Sequence, residues 1–153
     1  MNTTYRVAIA CSTALLLAGC AKSDQTATDT GGASTSTISL ADAAGQWQVR
    51  SVPESGTDTT STNYVLTATA DTAGWFITFP NGLKVPVQAM IMGDSLMQKA
   101  GPFASQRRKG VMVTTEGMFA MQNGKLMGTT IARYSNAGAD SVLRLRTEGT
   151  KIP

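Results

Sequence analysis

Two groups of side chains in this sequence have types and spacing that could do chemistry. The first is methionine. Seven of the eight, Met90, Met92, Met97, Met112, Met118, Met121 and Met127, fall in one stretch of the chain. A thioether is polarizable and adaptable, so the stretch suggests an apolar interior, or a plastic pocket for a small apolar or amphipathic ligand. Soft sulfur also suits Cu(I), and Met90 and Met92 would share a strand face because strand side chains alternate. Core filling is the commoner use, so no metal is expected, and Met90, Met92, Met112 and Met127 are the candidate ligand contacts. The second group is Gln106-Arg107-Arg108-Lys109, the one charge cluster. Arg107, Arg108 and Lys109 could grip a carboxylate or a phosphate head group, although such a run is more often a solvated turn.

What is missing is equally informative. The chain has no histidine, which removes the commonest general base and metal ligand near neutral pH. No Ser–His or Cys–His nucleophile can be assembled. The domain carboxylates, from Asp42 to Glu148, show no spacing that pairs two of them across a cleft, as glycoside hydrolysis requires. No glycine-rich phosphate loop is present. The net charge of +3 is too small to suggest nucleic acid. These absences predict a protein that is not an enzyme and carries no cofactor.

The N-terminus has a separate logic. Arg6 precedes an uncharged apolar stretch from Val7 to Leu17, followed by Ala18, Gly19 and Cys20. This pattern reads as a secretory signal, and it is too short for a span, which takes roughly 20 apolar residues. Leu17-Ala18-Gly19-Cys20 resembles the lipobox of bacterial lipoprotein precursors. That resemblance implies removal of residues 1–19 and lipidation of Cys20, the protein's membrane contact. Ala21 then favours the outer membrane of a Gram-negative cell. Two or three acyl chains would anchor stably where one would not. Cleavage also removes Cys11, so no intramolecular disulfide would remain. Residues 20–39 are rich in Ser, Thr and Gly and read as a flexible tether.

Residues 40–153 form the domain. Alternation of apolar and polar residues marks strands at Gln46–Val52, Asn63–Ala70, Gly74–Phe79, Lys84–Met92, Ser95–Ala100, Val111–Gln122, Lys125–Tyr134 and Ser141–Thr147. Gly117 suggests a bend or bulge in the sixth. Asn81-Gly82, Gly93-Asp94 and Asn123-Gly124 are tight-turn pairs, and Asn136-Ala137-Gly138-Ala139 reads as a longer hairpin loop. Ser39–Ala44 could form one helical turn. The expected fold is all-β, an antiparallel up-and-down meander of about eight strands. Closing it into a small barrel would remove its exposed edges.

Gly45-Gln46-Trp47 resembles the Gly-x-Trp motif of lipocalin-like (calycin) barrels, which follows a short helical turn. The family's Thr-Asp-Tyr motif is absent. The resemblance implies a barrel in which an arginine of the last strand, Arg144 or Arg146, packs across Trp47. The expected function is a non-catalytic envelope lipoprotein binding a small apolar or amphipathic molecule. The alternative is a protein-interaction module, an inhibitor or accessory subunit of an envelope complex. A cavity of roughly 300 Å³ or more would favour the first. A solid core with an exposed apolar patch would favour the second.

Overall fold

The computed structural model describes residues 37–135 and 141–153. The lipobox, the proposed lipidation site Cys20, most of the tether and the Asn136–Ala139 loop lie outside the described residues. One helical turn, α1 (Leu40–Ala43), precedes eight strands: β1 (Gly45–Pro53), β2 (Thr62–Ala68), β3 (Phe76–Thr78), β4 (Lys84–Met92), β5 (Ser95–Ala104), β6 (Met112–Gln122), β7 (Lys125–Tyr134) and β8 (Val142–Lys151). Each pairs antiparallel with the next, and β1 pairs with β8 from Trp47↔Lys151 to Pro53↔Leu145. The all-β meander therefore closes into a barrel, an architecture consistent with a lipocalin-like fold, and neither the first nor the last strand is left as a free sheet edge.

Alternation puts one face of every strand inside. Trp47 and Val49 of β1, Leu66 of β2, Val85 and Val87 of β4, Leu96 of β5, Phe119 of β6, Leu126 of β7 and Leu145 of β8 are all buried in one core. Each large side chain so removed from water contributes about 1.5–3 kcal/mol. α1 is a single turn, too short to persist alone. A capping box holds it: the Ser39 hydroxyl accepts from the Asp42 N–H, and the Ser39 N–H donates to the Asp42 carboxylate at 3.0 Å. The Ser39 hydroxyl also donates to that carboxylate at 2.6 Å, and this bond, followed by the one from the Ser39 N–H, holds the Asp42 carboxyl below the usual carboxylate range. The turn delivers the Ala43 carbonyl to the Trp47 indole N–H at 2.7 Å. Ile38 and Ala43 join the core at this end, so the folded unit begins by Ile38, slightly earlier than residue 40.

At the Trp47 end β4–β5 turns at Gly93-Asp94, and β6–β7 at Asn123-Gly124. Asn123 and Gly124 both have positive φ, 50° and 74°, the signature of the hairpin turn that matches strand twist. The opposite end is formed by longer connections, 54–61, 79–83 and 105–111. This end is the barrel mouth.

Gly117 is not a bulge. It pairs in unbroken register with Gln98 and Thr130. The irregularity lies in β5, between Ala100 and Phe103. Gly117 lies under the Phe119 ring, which an added Cβ would run into unless the ring moved. Gly128 is tighter still, since its Cβ would collide with the backbone carbonyl of Met118 on β6. Backbone cannot yield as a side chain can. Gly128→Ala is expected to destabilise the barrel by about 1–3 kcal/mol, measured as a lower denaturation midpoint with an unchanged slope. A midpoint equal to wild type would contradict this packing.

Candidate functional site

The barrel mouth opens on an apolar pocket of about 50 Å³. Tyr64, Phe79, Phe103 and Tyr134 form its aromatic wall, with Ile77, Val113 and Leu145 between them. Tyr64 meets Phe79 edge-on at 5.7 Å between ring centres, and Phe79 meets Phe103 at 5.6 Å. Such pairs add about 0.5–1.5 kcal/mol beyond their area. Eight strands enclose a space just wide enough for side chains to fill, and here they fill it. The rest of the interior holds only voids near 10 Å³.

A short polar seam crosses this interior. The Ser51 and Thr147 hydroxyls are hydrogen-bonded at 2.9 Å, and Thr147 bonds Thr130 at 2.9 Å. The Tyr64 hydroxyl sits beside Ser51, and burial pushes it up to about 12, against the smaller opposing effect of a Ser51 hydrogen bond. The Tyr134 hydroxyl is also raised, chiefly by burial, with Arg108 and Arg107 opposing. Among the described residues, the Gln98 amide nitrogen is the buried side-chain donor left without a partner.

The basic cluster closes the mouth. Arg107 reaches from the β5–β6 connection to the β1–β2 connection. Its guanidinium pairs with the Asp58 carboxylate at 2.5 Å and donates to the Thr60 carbonyl at 2.6 Å and the Thr62 hydroxyl at 3.2 Å. Its side chain is only 12% exposed, against 60% for Asp58. Hydrogen bonds from Thr60, and secondarily Arg107, hold the Asp58 carboxyl below its ordinary range. Arg108 lies over the Tyr134 ring at 4.0 Å, a cation–π contact. Lys109 is exposed. The three residues are thus not one anion grip. Arg107 is a latch, Arg108 covers an aromatic wall and Lys109 faces water.

The methionines are not where an apolar pocket would use them. Met90, Met92, Met112 and Met118 are 51%, 57%, 43% and 50% exposed, and Met127 is half-buried. The reason is strand parity. Val85, Val87 and Ala89 face the core, so Met90 must face outward. No methionine lines the mouth pocket. The arginine over Trp47 is also corrected. Lys151 takes that place, its ammonium 5.4 Å from the ring centre. Trp47 pairs with Lys151, and five residues of strand separate Arg146 from that register, about 17 Å. Arg144 instead pairs with Glu54 at 3.5 Å. Gly45, at φ 126°, lies against the Lys151 stem.

Among the described residues, Glu54, Asp58, Glu116 and Glu148 each face a cation in a surface ion pair. Among the described residues no cluster of three carboxylates or thiols could hold a metal ion. No protein family, curated protein or solved structure matches the chain.

Two outcomes follow. Because the folded pKa of Tyr64 is raised, its contribution to stability is complete below the unfolded value near 10. It is lost as pH rises from there through about 12, since only the unfolded chain ionises readily. Tyr64→Phe should flatten this alkaline decline in a series of denaturation curves; a decline as steep as wild type would show that Tyr64 does not cause it. The latch behaves oppositely. Asp58 has a lowered pKa, so its pairing with Arg107 persists above the ordinary carboxylate range and is lost as pH falls through the lowered value. Arg107→Ala should raise binding of a fluorescent apolar dye at neutral pH, with far-UV circular dichroism unchanged. Equal dye binding by wild type and variant would mean that Arg107 does not restrict the mouth.

Proposed function

We propose that the chain is a membrane-anchored, non-catalytic lipoprotein of the bacterial envelope, and that its barrel is a protein-interaction module. The anchor rests on Leu17-Ala18-Gly19-Cys20 after a short apolar stretch, a pattern that favours the outer membrane of a Gram-negative cell. The non-catalytic reading rests on a chain without histidine and carboxylates drawn into surface ion pairs. Kinship with lipocalin-like barrels rests on Gly45-Gln46-Trp47, placed after α1 at the start of β1.

One observation supports docking on a partner over carrying a ligand inside the barrel. The interior cavity of about 50 Å³ is far below the roughly 300 Å³ of a small-molecule site, and the larger hollows, about 430 Å³ beside Asp58 and Arg107 and about 650 Å³ along 72–76 and 84–89, are open clefts on the outside of the barrel. A filled barrel acts through its surface, and the rim connection bearing Arg108 and Lys109 is the surface best suited to an acidic partner. A second reading keeps the small apolar or amphipathic ligand. It is favoured by the aromatic wall at the mouth, which one acyl end could enter once Arg107 lets go of Asp58.

Expressing the full chain in a Gram-negative host fed labelled palmitate tests the anchor. Wild type should carry label and fractionate with membranes, and Cys20→Ser should carry none. An unlabelled wild type, or a labelled variant, would end the lipoprotein reading. A photo-crosslinking residue at position 109 then separates the binding modes. A discrete protein adduct supports the interaction module. Adducts confined to lipid would transfer support to the second reading.

A further inference from the structure

We propose that the outer face of the barrel carries a thioether site for a monovalent soft cation, Cu(I) or Ag(I), built from Met90, Met97 and Met118. This inference is independent of the membrane anchor and of what the mouth binds.

The register assembles the site. Met90 of β4 pairs with Met97 of β5, and Met97 pairs with Met118 of β6. Three methionines thus stand side by side on three neighbouring strands, with no other residue between them in the row. Directly opposed residues on one face have Cβ atoms about 4.5–5.5 Å apart. A methionine has three rotatable side-chain bonds, so sulfurs rooted at these spacings can converge on one ion above the middle strand. Met92 lies two residues from Met90 on the same face. Met127 pairs with Ala120, two residues beyond Met118 on β6. The triad therefore has further thioethers beside it.

Residue choice separates this patch from an ordinary apolar surface. Leucine would serve a docking face as well as methionine, yet among the described residues the exposed large apolar ones are Met90, Ile91, Met92, Met112, Met118 and Val142, with no leucine. What the outer face of β4–β6 retains is sulfur. Neutral soft donors select a monovalent soft cation over Mg²⁺, Ca²⁺ or Zn²⁺. Two residues along β5 from Met97, Lys99 faces Glu116 of β6 at 3.4 Å, and Arg133 of β7 faces the same carboxylate at 3.9 Å. A thioether has no proton to release on binding, so affinity should be nearly flat between about pH 5 and 8, where thiolate, carboxylate and imidazole sites vary.

The test uses the full chain in detergent with Cys11→Ser and Cys20→Ser, so that no thiol competes. Titration with Ag(I), and with Cu(I) under a colorimetric chelator, should give one ion per chain. The triple variant Met90→Leu, Met97→Leu and Met118→Leu keeps volume and apolarity, and should weaken binding by about a hundredfold or more. Ag(I) should also protect these three methionines, in the protein carrying only Cys11→Ser and Cys20→Ser, from peroxide, read by peptide mass spectrometry as less sulfoxide, while Met112 oxidises as before. That readout stands even if the triple variant misfolds. No binding, undiminished binding by a folded triple variant, or equal oxidation of all four methionines with and without Ag(I) would each overturn the proposal.

Discussion

Closure of β1 on β8 is the constraint on which the rest of this structure depends. The backbone pairing between Trp47 and Pro53 on one strand and Leu145 and Lys151 on the other removes both edges of the meander. It also fixes the width of the interior. Eight strands leave room for one layer of inward side chains, and this sequence supplies that layer from every strand. The near-solid core is a consequence of closure with these residues, and it moves the functional question from the inside of the barrel to its mouth and outer face.

The two ends of the barrel solve different problems. At the Trp47 end the capping box at Ser39 and the indole bond to Ala43 hold one helical turn against the core. At the mouth, long connections are tied by a charged residue that would otherwise be solvated. Arg107 bridges two connections through Asp58, Thr60 and Thr62. An exposed ion pair alone contributes little, so the carbonyl and hydroxyl bonds made by the mostly buried guanidinium give the latch its hold. Beneath it, Tyr64 and the Ser51–Thr147–Thr130 seam place hydroxyls in an apolar interior where they must bond one another.

Much of the fold was legible in the sequence because a strand has a period of two. β4 and β7 lie where alternation put them, and Asn123-Gly124 announced its own backbone. The methionines show how that reading can be left unfinished. Putting Val85, Val87 and Ala89 inside already sends Met90 and Met92 outside, whatever their hydrophobicity suggests. The row Met90–Met97–Met118 needs register across three strands, which periodicity alone does not provide. The Arg107–Asp58 latch joins residues far apart in sequence, so from the sequence the cluster read as an anion grip or a solvated turn and not as a latch. Lys151 at Trp47 was missed because the last strand runs past Thr147 and sets a register that a motif cannot convey. Gly117 was read as a bend, but it lies in unbroken register under the ring two residues away.

The interior of the barrel is filled. Native mass spectrometry of the full chain, purified without denaturation, tests that directly. The predicted spectrum shows the covalent mass of the protein and no non-covalent addition at stoichiometric level. A reproducible additional mass that disappears on denaturation, and that is lost on substituting Tyr64 or Phe103 of the inner pocket of about 50 Å³ but not on substituting residues of the open surface clefts, would contradict it.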